Sequence, residues 1–248
     1  MKIKEITDYL ETFFPLSRAY DWDHCGLQIG NLQQTVDSMM IALTPDLSVI
    51  QECIDQDIHF LFTHHPLFFS SFNTIDLNTP EGKIIQLLIE HQITVYSLHT
   101  CMDLGDEISM NGWLMETLGL TYTKDSNELY KMAFVDCTLK ELIEHIKKTF
   151  SLDYVRYVGD LNKSIHSLAI LGGSGSDYME ELVNKVDVLI TGDLKYHDAQ
   201  WAMNHQFTLI DANHFLEQIM TIKTKELLQV KFDLEIFVSK QKDYFNLG

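Results

Sequence analysis

The chain has 248 residues, 46% of them hydrophobic, with 36 Asp+Glu against 18 Lys+Arg and a formal charge of -18. At roughly 150 residues per domain, this length gives one large or two small domains with a sizeable core, and the composition is that of a folded globular protein rather than a disordered or fibrous one. The acidic excess argues against a broad nucleic-acid footprint, which needs clustered Lys and Arg, but leaves open a local site where bound cations reverse the field.

Ile3, Ile6, Tyr9, Leu10 and Phe13 recur at helical spacing, so an amphipathic helix opens the chain and ends before Pro15. Strands and helices then alternate. An apolar run at 39–43 is followed by Thr44-Pro45-Asp46, which reads as an N-cap, a proline at the first helical position and an acid in the first turn. A helix to about residue 56 and a strand at 58–62 come next. The same grammar returns at Thr79-Pro80-Glu81, with a helix to about 91 and a strand at 93–98. A helix over about 107–118 stops at Gly119, a C-terminal cap.

From about residue 125 the pattern restarts with a strand at 129–135 and the capping box Thr138-Leu139-Lys140-Glu141 before a helix to 150. Strands are expected at 153–158 and 165–171, then Gly172-Gly173-Ser174-Gly175 and a helix from about 177. Further strands fall at 186–190, 207–210 and 233–238, with helices between them. The alternation predicts an α/β protein of two similar, interlocked domains, 1–124 with 230–248 and 125–229, the C-terminal strand returning to the first one.

The four cysteines, Cys25, Cys53, Cys101 and Cys137, show no C-x-x-C spacing and fit reduced thiols in a reducing compartment. The N-terminus has no apolar leader and no stretch of about 18 apolar residues occurs, so a cytoplasmic protein without a membrane span is expected.

Of the 11 histidines, His91, His145, His166 and His205 sit singly in helix or strand patterns and need no functional reading. Four segments differ, each placing His or Asp at the carboxyl end of an expected strand, where ligand sites form in open α/β sheets. They are Thr63-His64-His65-Pro66, His99-Thr100-Cys101-Met102-Asp103, Thr191-Gly192-Asp193, and Asp211-Ala212-Asn213-His214-Phe215-Leu216-Glu217. Imidazole with carboxylate suits Zn, Fe, Mn, Ni or Co. Adjacent His64 and His65 point to opposite sides of an extended chain, which suits two metals about 3.5 to 4 Å apart. His214 and Glu217, three apart, share a helix face. Five ligands, His64, His65, Asp103, His214 and Glu217, suit a metal pair rather than one open metal. The competing reading makes His64-His65 an exposed turn and Asp103 a helix-initiating acid.

These segments, with Asp21-Trp22-Asp23-His24-Cys25-Gly26-Leu27-Gln28-Ile29-Gly30, Gly172-Gly173-Ser174-Gly175 and Asp193 running to His197, resemble the dinuclear metal-centre family of NGG-interacting-factor-like proteins, commonly labelled type 2 GTP cyclohydrolase I homologues. The resemblance covers nearly the whole chain, in order. It implies a two-domain α/β protein assembled into a homohexameric ring, with metal sites at strand carboxyl ends between the domains. Residue by residue, it gives the same five metal ligands. The chain departs from the pattern at His24, where many relatives have Asn, and at Asn213, where they have Gly.

Three features keep two readings each. The glycine run is a phosphate cradle or a tight turn that brings helix close to sheet, and it matches no nucleotide-binding fingerprint. Asp193 orients an imidazole or caps a helix. His99 and His197 act as acid/base groups or stand behind the ligands and support them. The expected function is that of a hydrolase with two divalent cations, acting on a small molecule such as a nucleotide. The alternative is a non-catalytic metal-binding ring or assembly platform, because a ligand set does not reveal an open coordination position. Nucleic acid in a ring opening is a weaker third expectation.

Overall fold

The computed structural model describes residues 1–70, 73–105, 108–123 and 129–246. In chain order the elements are α1 (Ile3–Glu11), β1 (Gly26–Ile29), β2 (Ser38–Ala42), α2 (Leu47–Asp55), β3 (Phe60–Thr63), α3 (Pro80–Glu90), β4 (Thr94–Ser97), α4 (Thr100–Asp103), α5 (Met110–Thr117), β5 (Lys131–Thr138) and α6 (Leu139–Phe150). They continue as β6 (Arg156–Val158), β7 (Ser164–Ser174), α7 (Met179–Leu182), β8 (Val188–Gly192), α8 (Tyr196–Asn204), β9 (Thr208–Asp211), a 3-10 turn His214–Gln218, α9 (Ile219–Gln229) and β10 (Glu235–Val238).

These elements form two compact units, Met1–Gly105 with Met220–Gly248, and Asp106–Ile219. The first crossing lies before the 124/125 boundary read from the sequence because α5 buries Leu114 and Met115 in the second unit's core, beside Leu139, Ile146 and Ile165. The return also comes earlier than 229/230, since the chain rejoins the first unit at Met220. Residue 107, the expected start of α5, lies outside the described residues; Ser109 caps the helix through a bond from the Gly112 amide to its hydroxyl, 3.0 Å.

The first unit holds a sheet of order β1-β4-β3-β2-β10. β10, β2, β3 and β4 run parallel, while β1 is an antiparallel edge strand. All four residues of both β3 and β4 are buried, as a parallel sheet covered on both faces requires. Met40, Leu61 and Val95 pack under Val49, Ile50 and Cys53 of α2 and Leu88 of α3. β10 pairs Ile236 with Met39, so the C-terminal strand does return to the first parallel strand. The second unit repeats the plan, with the parallel trio β7-β8-β9 flanked by antiparallel β5 and β6. Two similar α/β units are thus present. No helix among the described residues is long and apolar enough to cross a membrane.

Two helix starts follow the sequence grammar closely. Thr79 caps α3 with Pro80 in its first turn, and Thr138 and Glu141 form a reciprocal capping box on α6. The start of α2 does not: its N-cap is Asp46, two residues beyond Thr44. Asp46 accepts bonds from the Val49 amide at 2.9 Å, Ser48 Oγ at 2.6 Å, Gln241 Nε2 at 2.7 Å and Tyr244 Oη at 2.5 Å. It thereby ties the C-terminal tail to α2. Burial favours the neutral acid, but these four donors outweigh burial and hold the carboxyl below its ordinary range. Because the folded pKa is the lower one, the ionised Asp46 stabilises the fold above the unfolded pKa of about 3.9, and that contribution fades as pH falls below it. Asp46→Ala should therefore cost about 1–2 kcal/mol in denaturant melts at neutral pH, with the gap to wild type narrowing below about pH 4. A gap independent of pH would contradict this account of the cap.

Candidate metal centre

In the first unit, parallel register brings three strand ends together. β3 and β4 pair Thr63 with Ser97, and β2 pairs Ala42 with Thr63, so the residues that follow emerge side by side. The Leu98 amide bonds the Thr63 carbonyl at 3.0 Å and the His65 amide bonds the Leu43 carbonyl at 2.9 Å, carrying the ladder one step past the strands. Beneath them the Thr63 and Ser97 hydroxyls meet at 2.7 Å. His64, His65 and His99 stand above this platform with ring centroids 5.1 to 5.8 Å apart. Each offers a ring nitrogen within 4.8 Å of the others'.

The rings are aimed by their Nδ1 atoms. His64 Nδ1 lies 2.9 Å from the Leu98 carbonyl, which only accepts, so Nδ1 carries the proton. Its Nε2 lies 3.8 Å from Oδ1 of Asp103, the last residue of α4. His65 Nδ1 meets the Thr44 hydroxyl at 2.8 Å. His99 Nδ1 lies 3.0 Å from Asp23 Oδ1, while the Thr100 amide and hydroxyl bond Asp23 Oδ2 at 3.0 and 2.6 Å. Burial would raise the Asp23 acid, but the bonds from His99 and Thr100 prevail and hold it far below the usual carboxylate range. An ionised Asp23 can only accept, so His99 also carries a proton on Nδ1.

In the second unit, β8 and β9 pair Thr191 with Asp211, and the Ala212 amide continues the ladder to the Thr191 carbonyl at 2.8 Å. Asn213 then takes φ 75°, turning the chain into the 3-10 segment, and its Oδ1 accepts the Phe215 amide at 2.9 Å. Asn is among the few residues that enter this region readily, so this residue can make the turn without glycine. Residues three apart eclipse in a 3-10 turn, which sets His214 Nε2 3.0 Å from Glu217 Oε2. His214 Nδ1 meets Asp193 Oδ2 at 2.6 Å. The Glu217 hydrogen bond and charge, aided by Asp193 and against burial, push the His214 imidazole up to about 9. Glu217 is buried, with 4% of its surface exposed, so this corner is built to hold positive charge.

Two glycines make the corner possible. Gly173, at φ 63°, lies where a methyl group would come 2.9 Å from Glu217 Oε1, and a methyl at Gly192 would come 2.8 Å from the His214 backbone nitrogen. Within the glycine run, Gly172 and Gly173 leave room for the buried carboxylate of Glu217 on the 3-10 turn, whereas a methyl at Gly175 would meet Thr191.

The structure separates the sequence candidates. His64 is fully buried and Asp103 closes a helical turn instead of opening one, so the exposed-turn reading of these residues fails. Asp193 holds His214 and does not cap α8, whose N-cap is Lys195. His197 stays exposed on α8 with its ring 6.0 Å from Tyr196. Among the described residues, it belongs to no group of side chains placed to share an ion. Asp23 and Thr44 were not singled out as aiming residues, because their partners lie 76 and 21 residues away in sequence.

The donor set fits a divalent transition metal. Four imidazoles have Nδ1 held by a second group, the arrangement usual around metal-ligating histidines, and two further carboxylates, Asp103 and Glu217, lie beside them. Fold and site together define a two-unit α/β protein with groups able to hold a metal ion beyond the ends of its parallel strands.

The model of the Duf34/NIF3 (NGG1p interacting factor 3) family matches residues 1–244, and the chain belongs to that family. It is 35% identical over 227 residues to a "GTP cyclohydrolase 1 type 2 homolog" of Clostridium acetobutylicum, covering 87% of this chain and 84% of the relative. It is 32% identical over 242 residues to a protein of the same name from Methanocaldococcus jannaschii, covering 95% and 98%. Among solved structures, a Staphylococcus aureus hypothetical protein superposes with a TM-score of 0.90 at 29% identity, over 100% of this chain and 99% of that one. Reduced HcgD from Methanocaldococcus jannaschii gives 0.88 at 31%, over 97% and 98%.

Gly192→Ala tests how the second-unit corner is built. Its Cβ would meet backbone, which no rotamer change can relieve, so we expect about 1–3 kcal/mol of destabilisation together with loss of the close His214–Glu217 pairing. An NMR titration of His214 reads that pairing. An imidazole that still titrates near its wild-type midpoint in the variant would show that Gly192 does not set the turn.

Proposed function

We propose that His64, His65, Asp103, His214 and Glu217 are the ligands of two divalent cations, and that the protein is a metal-dependent hydrolase of a nucleotide-like small molecule. The observation that carries this reading is the common anchoring of Nδ1 on His64, His65, His99 and His214. It leaves Nε2 as the aimed atom in each case, and a merely structural histidine has no need of that uniformity. The substrate class is suggested by the relatives' name, GTP cyclohydrolase 1 type 2 homolog. The family resemblance supports a homohexamer, and four free cysteines agree with a reducing, cytoplasmic setting.

Bound cations, whether Zn, Fe, Mn, Ni or Co, would supply Lewis acidity and a water acidic enough to react near neutral pH. The chain's own residues do the rest. The carbonyl of Leu98, the hydroxyl of Thr44 and the carboxylate of Asp193 keep the ligating rings from rotating. His99, its proton held on Nδ1 by ionised Asp23, offers Nε2 as the base that takes a proton from the attacking water and returns it to the leaving group. The exposed His197 is less suited to that role.

Elemental analysis of protein purified without a metal-binding tag should find about two divalent ions per chain, falling in His65→Ala and His214→Ala. Hydrolysis across a panel of nucleotides and phosphoesters should cease on exhaustive chelation and return with metal. A metal content near zero, or full turnover after chelation, would overturn the reading. Metal at full stoichiometry with no product across the panel would leave a metal-binding protein and remove the hydrolase.

A further inference from the structure

Beside His99 in the first unit lie two thiols that the proposed hydrolysis does not use. Cys25 Sγ and Cys101 Sγ are 3.3 Å apart, although 76 residues separate them in sequence. Cys25 sits in the loop that leads into β1, next to Asp23, and is partly exposed; Cys101 is the second residue of α4 and fully buried. Around them, the His99 amide lies 3.2 Å from Cys25 Sγ, and Cys25 Sγ lies 3.2 Å from Asp23 Oδ2. The other two cysteines differ: Cys53 is a buried residue of α2, and Cys137 lies on β5 of the second unit. A partly exposed cysteine with a second, buried thiol already in contact behind it is the arrangement of an oxidisable cysteine beside its resolving partner.

We propose that Cys25 and Cys101 form an oxidation site that closes to a reversible disulfide when the protein meets a hydroperoxide. The Cys25 sulfur attacks the peroxide, the O–O bond breaks, and Cys25 becomes a sulfenic acid while one molecule of alcohol or water leaves with the thiol proton. The Cys101 sulfur then attacks Cys25, the S–O bond breaks, and a water leaves with the second proton. Two electrons pass from the thiol pair to the peroxide, and a dithiol reductant reverses the change. The new bond would join the loop carrying Asp23 to the helix carrying Asp103, so oxidation reaches the segments that aim His99 and His64. Its formation needs only the two sulfurs and does not depend on the metal reading.

Hydrogen peroxide added to the purified protein tests the proposal. Wild type should lose two of its four thiols in a titration of the denatured protein, become about 2 Da lighter, and yield a linked peptide containing Cys25 and Cys101, all reversed by dithiothreitol. Cys101→Ala should give no linked peptide and instead gain about 16 or 32 Da at Cys25, while Cys25→Ser should leave the buried Cys101 reduced. Oxygen added to Cys25 in wild type with Cys101 untouched, a link to Cys53 or Cys137, or no thiol loss would each overturn it. Elemental analysis of the same samples keeps this outcome separate from the metal reading, since the disulfide can close whether or not metal is found.

Discussion

Parallel register is the constraint on which the site depends. Where neighbouring strands run the same way, their carboxyl ends lie on one edge, and the residues just beyond them meet without any long-range search by the loops. Thr63 opposite Ser97 does this for His64, His65 and His99, and Thr191 opposite Asp211 does it for Asp193 and His214. The ladder bonds that run one residue past each strand keep those first loop positions almost as fixed as the sheet itself. Side chains with low tolerance for misplacement can therefore be mounted on loops, because the loops are still governed by sheet hydrogen bonds at the points that matter.

A second layer of order comes from what holds each imidazole. A histidine ring has two nitrogens, and a fixed acceptor at one decides which is left to act. The chain uses a backbone carbonyl for His64, a hydroxyl for His65 and carboxylates for His99 and His214. The four histidines are therefore alike in which nitrogen is anchored and unlike in what anchors it.

How much of this was legible in the sequence follows from distance along the chain. Helix starts governed by residues two or three apart were readable at Thr79 and at Thr138 with Glu141. At α2 the same rule misplaced the cap, because Thr44 is drawn to His65 and Asp46 to the C-terminal tail, contacts made across 21 and almost 200 residues. β1 was missed because it has four residues, starts at a glycine with φ 101° and pairs antiparallel at an edge, so it lacks the buried apolar run of the central strands. The metal-ligand candidates were visible as unusual residue types at strand ends. Asp23 and the space-making glycines were not, since nothing local says what an aspartate will accept from or what a missing side chain leaves room for.

The charge balance takes on a definite meaning at Glu217. A buried carboxylate must meet positive charge or lose its own, and here it meets the imidazolium of His214, which Asp193 supports from the other side. A proton and a divalent cation would satisfy that carboxylate in the same place, and His214 must give up the proton on Nε2 before that lone pair can bind metal. The 36 acidic residues against 18 basic ones therefore describe more than a surface that repels phosphate. Part of the excess lies in the interior, where the buried carboxylate of Glu217 is met by the positively charged imidazole of His214.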